Sequence, residues 1–113
     1  MASAFRDLAV YRLAAELADE VYERAIRFPR LDRWSVGIQL VRAADSVGAN
    51  IAESAGRWHE RDKRRLLMVA RGSLYELEHW LLRAEARGLL ERGMSERTDE
   101  LGRALNGLIR RPN

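Results

Sequence analysis

Apolar residues recur at helical spacing in four separate stretches of the chain. At about 100° per residue, each stretch gathers apolar side chains on one face and charged side chains on the opposite face. The four stretches cover about residues 7–28, 33–56, 60–87 and 95–110. Asp7, Asp32 and Ser95 are candidate N-caps, Pro29 ends the first stretch, and Gly88 suits a left-handed helix end. The pattern predicts an all-α chain forming a single domain over residues 1–113.

Short breakers between the stretches favour antiparallel neighbours, and therefore an up-down-up-down four-helix bundle. The core face predicted for the first helix consists of Val10, Tyr11, Ala14, Leu17, Ala18, Val21, Tyr22 and Ala25. The core face predicted for the third helix consists of Leu66, Val69, Ala70, Ser73, Leu74, Leu77, Trp80, Leu81 and Ala84. Leu89 follows Gly88 at the position of the apolar contact in a Schellman ending.

The second and third helices carry more apolar surface than one bundle can cover. Apolar residues flank both sides of a narrow polar stripe on the second helix, and a second apolar line runs outside the core face of the third. The residues predicted to contact another copy are Trp34, Ile38, Val41, Met68, Tyr75 and Leu82. We therefore expect a closed homo-oligomer.

The polar stripe is expected to be structural. A buried polar group without a partner costs several kcal/mol, so these side chains are predicted to bond to one another where helices 2 and 3 meet. The predicted network consists of Gln39, Arg42, Ser46, Asn50, Glu53, Ser73 and Glu76. Ser46 lies in mid-helix, with no histidine placed by sequence to act as its base, so a nucleophilic role is disfavoured.

Composition narrows the class of protein. Hydrophobic residues make up 47% and charged residues 33% of the 113 residues, which is typical of a globular protein. The chain has no cysteine, so disulfides and thiolate metal sites are excluded and a reducing cytoplasm is the expected location. No stretch approaches the roughly 18 apolar residues that a membrane span needs, so no membrane association is expected.

The net charge of +3 is unevenly distributed. Six cations fall between residues 57 and 71, namely Arg57, Arg61, Lys63, Arg64, Arg65 and Arg71. Cations at a helix start oppose the helix dipole, whereas a phosphate backbone favours them, and Trp58 among them could stack on an unpaired base. The cluster indicates non-specific binding of RNA or DNA. A solvated charged face, with Trp58 packed on a neighbouring subunit, remains the alternative.

Enzymatic chemistry gains little support from the sequence. Glu76 and His79 have the Glu-x-x-His spacing of dimetal bundles, but the second copy that such sites require is missing. Neither His59 nor His79 is preceded by the arginine of a HEPN-type ribonuclease motif. We expect no cofactor, no metal and no catalysis, and a metal-dependent bundle enzyme is the least favoured hypothesis.

Three segments carry a family resemblance. They are QLVRAADSVGANIAE from Gln39 to Glu53, the pair Gly56-Arg57, and ARGSLYEL from Ala70 to Leu77. With FRDLAVY from Phe5 and the pair Phe28-Pro29, they resemble the four-helix bundle proteins encoded in intervening sequences of bacterial 23S ribosomal RNA genes. The fold is also similar to that of the accessory variability determinant proteins of diversity-generating retroelements.

This resemblance implies a bacterial homopentamer whose basic surface engages nucleic acid. It also implies an alternative role, as a scaffold for a partner enzyme such as a reverse transcriptase. Large aromatic residues commonly anchor protein interfaces, and the predicted anchors for such a partner are Trp34, Trp58 or Tyr75. The sequence departs from the family pattern at Gly48, Ser54 and Lys63.

Overall fold

The structure, a computed structural model, describes residue 5 and residues 8–111. Helix α1 is Ala9–Ala25. Helix α2 begins as Arg30–Asp32, passes through the π-helical turn Arg33–Gly37 and continues as Ile38–Ala55. Helix α3 is Glu60–Ala86, and a 3₁₀ turn, Met94–Thr98, leads into α4, Asp99–Ile109. The described ranges contain no strand, and the prediction of an all-α chain with four helices is confirmed.

The four helices pack as a bundle in which each helix contacts the next one along the chain. The most extensive contact joins α2 and α3, α1 packs on α2, and α4 packs on both α3 and α1. Helices α3 and α4 run antiparallel, because Arg64 near the start of α3 bonds to Ile109 at the end of α4, whereas Arg71 bonds further back, to Asn106. The start of α3 and the end of α4 therefore lie at the same end of the molecule.

The core follows the predicted apolar periodicity over most of its length. In α2, the flank formed by Val36, Leu40, Ala44, Val47 and Ile51 is buried. Tyr22 and Val69, however, are half exposed, which corrects their assignment to the core. Each lies one helical step, about 100°, from a buried neighbour, Val21 or Ala70, and is therefore turned away from the centre of the core.

The predicted ending of α3 is confirmed. Gly88 has φ 73°, its N–H donates to the Glu85 carbonyl at 3.0 Å, and the Leu89 N–H donates to the Ala84 carbonyl at 2.9 Å. These two bonds define a Schellman motif, in which a left-handed residue closes the helix.

The helix starts differ from the predicted N-caps. Helix α2 begins three residues before the predicted start, because the Pro29 carbonyl accepts from the Arg33 N–H at 2.8 Å, and Asp32 makes no capping bond. Ser95 lies in the 3₁₀ turn, and its N–H donates to the Glu85 carboxylate at 2.6 Å, so α4 begins later, at Asp99. Asp7 lies outside the described residues. No helix in the described part of the chain combines the length and apolar character needed to span a membrane.

Candidate nucleic-acid interface

One end of the bundle concentrates positive charge. The end of α2, the start of α3 and the end of α4 meet there, and we call this region the basic end. Its cations are Arg57, Arg61, Lys63, Arg64, Arg65, Arg110 and Arg111. Three carboxylates, those of Glu53, Glu60 and Asp62, lie on the same segments. Arg110 and Arg111 were not part of the predicted cluster, although antiparallel packing of α3 and α4 was sufficient to place them beside it.

Arg61 and Arg65 are two of the exposed cations at the basic end. They stand four residues apart on α3, one helical turn, and border a shallow cleft whose lining also includes Asp62, Arg64, Met68 and Val69. Like charges at this spacing repel by a few tenths of a kcal/mol. The start of a helix also carries partial positive charge, which adds to the repulsion. An anion bound across the two guanidinium groups would relieve both effects.

Two other cations of the predicted cluster are held by nearby carboxylates. The Arg57 guanidinium lies 2.7 Å from the Glu53 carboxylate, and the Lys63 ammonium lies 3.9 Å from that of Glu60. Both pairs are partly exposed, and pairs of this kind contribute about 0–1 kcal/mol to stability. A phosphate group can therefore compete for these cations at small cost.

Arg64 and Arg71 instead join α3 to α4. Arg64 donates from Nε to the Ile109 carbonyl at 3.2 Å and from Nη2 to the Arg111 carbonyl at 3.4 Å, so it caps the negative end of α4. Arg71 donates from Nη1 to Asn106 Oδ1 at 3.0 Å. Both cations of the predicted cluster therefore contribute to packing as well as to surface charge.

Trp58 projects from the connection between α2 and α3 at the basic end. Its side chain is 95% exposed, and the neighbouring His59 is also exposed. His59 precedes α3 without a side-chain capping bond, so the first N–H groups of that helix are not capped by a side chain. The exposed indole, the uncapped N–H groups and the Arg61 and Arg65 side chains therefore lie at the same end of the bundle, a combination suited to a stacked base and its phosphate.

The structure brings only part of the predicted polar network together. Ser46 Oγ and Ser73 Oγ lie 2.8 Å apart, and Asn50 Nδ2 donates to the Ser46 carbonyl at 2.8 Å and to Ser46 Oγ at 3.1 Å. Glu53 instead bonds to Arg57, just beyond the end of α2, and Glu76 bonds to Trp80 within α3.

The other two members of the predicted network stand apart from the serine pair. Gln39 is half-buried and Arg42 is exposed. Among the described residues, no hydrogen bond connects either side chain to Ser46, Asn50 or Ser73.

The predicted contact residues lie on two sides of the molecule. Trp34, Met68, Tyr75 and Leu82 are half exposed or more, whereas Ile38 and Val41 are half-buried. Trp34, Ile38 and Val41 line an apolar groove between α1 and α2, which Tyr22 and Ile26 extend. Tyr75 instead borders a cleft between α3 and α4.

Both residues of the Glu-x-x-His pair, Glu76 and His79, contact the side chain of Trp80. Trp80 Nε1 donates to Glu76 Oε2 at 3.2 Å, and the His79 ring packs edge-on against Trp80 with ring centroids 4.8 Å apart. Over the described ranges, no group of three or more histidine or carboxylate side chains is placed to hold a metal ion.

Comparison with known proteins identifies similar sequences and folds. The family model described as 23S rRNA-intervening sequence protein matches residues 6–110. A 1.70 Å crystal structure of a protein of unknown function, from the S23 ribosomal protein family of Bacteroides thetaiotaomicron, has the same fold. It superposes with a TM-score of 0.80 at 22% sequence identity, covering 91% of this chain and 100% of the other. No curated protein matches the sequence significantly.

Proposed function

The chain belongs to the 23S rRNA-intervening sequence protein family, and from this membership and the geometry of the basic end we propose that it binds nucleic acid without catalysing a reaction. The bound group is the phosphate backbone of RNA or DNA, held by arginines that do not read the base sequence. Ser46 supports the non-enzymatic part of the proposal, because its hydroxyl bonds to Ser73 and Asn50 rather than to a histidine.

The observation that carries the proposal is the exposed pair Arg61 and Arg65 with Trp58 nearby at the same end of the bundle. The two guanidinium groups repel each other and share their cleft with one carboxylate, that of Asp62, and an exposed indole gains nothing from burial. Both features become favourable when a phosphate lies across the guanidinium groups and a base stacks on the ring.

Assembly of identical copies would multiply this charge. The apolar groove containing Trp34 and the exposed line of Met68, Tyr75 and Leu82 lie on different sides, so one copy can present one surface to the other surface of the next. The proposed state is a closed homo-oligomer, and the resemblance described above gives its number as five. Each added copy brings another basic end to the same particle.

The decisive experiment is a titration of fluorescein-labelled single-stranded RNA and DNA over a range of salt concentrations. Affinity should fall linearly on logarithmic axes as salt rises. The double variant Arg61→Glu/Arg65→Glu should bind about tenfold more weakly or worse and show a shallower salt slope. Arg64 is left unchanged because it also caps α4.

The matched control is Arg30→Glu/Arg92→Glu, which makes the same charge change at exposed positions away from the basic end. This control should keep most of the affinity, since it leaves the Arg61 and Arg65 surface intact. Absence of any binding by the wild-type protein at low ionic strength would overturn the proposal, and so would equal losses in the two double variants.

The second candidate function is a scaffold for a partner enzyme such as a reverse transcriptase. It is favoured by Trp34, which is 66% exposed over the groove between α1 and α2. Exposed tryptophans are common anchors at protein interfaces. Association that survives high salt and nuclease treatment, and that Trp34→Ala abolishes, would identify this function in place of phosphate binding.

A further inference from the structure

We infer that the groove between α1 and α2 is filled by α3 of a second copy and that the two neighbouring bundles run parallel, an inference that rests on the proposed assembly. The groove that contains Trp34 continues along both helices. Its lining residues include Tyr11, Ala15, Asp19, Tyr22 and Ile26 on α1 and Trp34, Ile38, Asp45 and Ala49 on α2. On each helix these residues recur at steps of three, four or seven, so they share one face and form one continuous surface.

The two halves of this groove lie at different distances from the basic end. Helices α1 and α2 are antiparallel, because a Cβ added at Gly48 would meet the Tyr11 ring at 3.6 Å, whereas one at Gly37 would meet the Ala25 carbonyl oxygen at 3.7 Å. The end of α2 belongs to the basic end. We therefore call the part lined by residues 44–52 of α2 the near half and the part lined by residues 33–42 the far half.

The exposed apolar line on α3 matches this groove in length and spacing. Met68, Tyr75 and Leu82 are spaced by seven residues, the repeat with which a helix packs along its neighbours, and they span about 21 Å. On α2, the groove lining extends from Arg33 to Ala52, about 28 Å. Alanine and glycine form most of the lining of the near half, so the backbone of another helix can approach closely there. The line therefore fits within the groove, with Met68 at one half and Leu82 at the other.

The charges along the groove and along α3 determine the direction. Among the described residues, the lining of the near half carries two carboxylates, those of Asp19 and Asp45, and no cation, whereas that of the far half carries Arg33 and Arg42 and no carboxylate. Helix α3 has the opposite order of charge, with five cations and one carboxylate over residues 61–71 and three carboxylates and one arginine over residues 72–85. Opposite signs meet only when the start of α3 lies along the near half. Helix α3 of the second copy therefore runs parallel to α1.

This direction keeps all basic ends on the same side of the assembly. In each bundle α3 begins at the basic end, so a neighbour whose α3 begins at the near half points its own basic end the same way. A rotation about an axis along the bundles relates such copies, and repeating that rotation can close a ring. Arg61 precedes Met68 by seven residues, about 10 Å toward the basic end, so the Arg61 side chains of all copies gather at one rim.

Cross-linking between introduced cysteines tests the direction, and the chain has no native cysteine to interfere. Two double variants, Ile38→Cys/Leu82→Cys and Ala49→Cys/Met68→Cys, place thiols on surfaces that face each other in the parallel arrangement. A short bismaleimide should join copies of either variant into a ladder of covalent oligomers on a denaturing gel. Because each copy carries one thiol in the groove and one on α3, the ladder should extend beyond dimers.

The matched controls recombine the same four substitutions. Ile38→Cys/Met68→Cys and Ala49→Cys/Leu82→Cys face each other only in the reversed arrangement, and both should remain monomeric on the gel. Met68 and Leu82 lie about 21 Å apart along α3, so a short cross-linker cannot serve both arrangements. Each single-cysteine variant should also remain monomeric. Circular dichroism and light scattering verify that every variant folds and assembles as the wild-type protein does.

The outcomes separate this inference from the proposed assembly and from nucleic-acid binding. Ladders from the two controls in place of the two test variants would overturn the parallel direction. If light scattering shows an oligomer but no variant gives a ladder, the contact lies elsewhere, and the groove site is overturned while the proposed assembly stands. A wild-type protein that remains a single subunit would overturn both. The cross-linking is done without nucleic acid, so a failure of the salt titration leaves its result unaffected.

Discussion

The hydroxyl oxygens of Ser46 in α2 and Ser73 in α3 lie 2.8 Å apart, at the most extensive helix contact of the bundle. Asn50, one turn further along α2, donates to the same serine hydroxyl at 3.1 Å. A hydrogen bond between two short side chains requires the helices to approach closely at one register. This partly buried contact therefore fixes how α2 and α3 align.

A double-mutant cycle over Ser46→Ala and Ser73→Ala should reveal this coupling. Each single change leaves one hydroxyl without its cross-helix partner, whereas the double change leaves neither. We expect a coupling energy of about 0.5–1.5 kcal/mol, obtained from urea unfolding. Ser35→Ala is the control, because the Ser35 hydroxyl bonds only to backbone carbonyls of its own helix in the described structure. Additive effects of the two serine changes would contradict the assignment.

The hydrogen bonds from Asn50 to Ser46 should also contribute to the stability of the protein. Asn50→Ala should lower the melting temperature, because it removes donors to both the carbonyl and the hydroxyl of Ser46. Glu53→Ala should have a smaller effect, since Glu53 pairs with Arg57 at the surface. The melting temperatures of the two variants are compared by thermal unfolding under the same conditions. A larger decrease for Glu53→Ala than for Asn50→Ala would refute this prediction.

The apolar pattern of the sequence predicted most of the buried core. It did not predict the features that depend on contacts between helices. Val47 and Ile51 are buried as expected because helical periodicity determines which residues share a face. Val69 lies one helical step, about 100°, from the buried Ala70, at the margin of the predicted core face, and the position of the neighbouring helices leaves it exposed. The bonds of Arg64 and Arg71 to α4 join residues 35 or more positions apart, and no local pattern indicates them.

Gly72, inside α3, and Gly88, just after it, should respond oppositely to alanine. Gly88 requires a positive φ of 73°, so Gly88→Ala should destabilise the protein by about 1 kcal/mol. Gly72 lies inside α3 with negative φ, and a Cβ there meets nothing within 4 Å. Gly72→Ala should therefore stabilise by about 0.5–1 kcal/mol through helix propensity. Urea denaturation measures both. No loss of stability in Gly88→Ala would refute the Schellman interpretation, and a loss in Gly72→Ala would refute the helix-propensity argument.

Stability should decrease in acid partly through Glu91. The hydrogen bond from Arg24 holds the pKa of the Glu91 carboxyl below its usual value, and this bond ties α1 to the segment after α3. A carboxyl whose pKa is lowered by folding contributes stability above its unfolded pKa and loses it as the pH falls through the folded pKa. Arg24→Gln should raise the pKa of Glu91 toward the ordinary value, measured by NMR titration of the side-chain carboxyl. Arg97→Gln, which breaks the separate pair with Glu20, should leave the pKa of Glu91 unchanged.

The proposed self-association would use the two exposed apolar surfaces. Light scattering at micromolar concentration should give the wild-type protein a mass well above the 13.0 kDa of one chain. Trp34→Glu and Leu82→Glu place a charge on opposite surfaces of the contact, so each should lower the mass by itself, because a head-to-tail contact needs both surfaces. Leu31→Glu changes a leucine that is 80% exposed and outside the predicted contact, and it should retain the wild-type mass. A wild-type protein that remains a single stable subunit would show that one copy tolerates this apolar surface in water, and phosphate binding would then depend on one basic end alone.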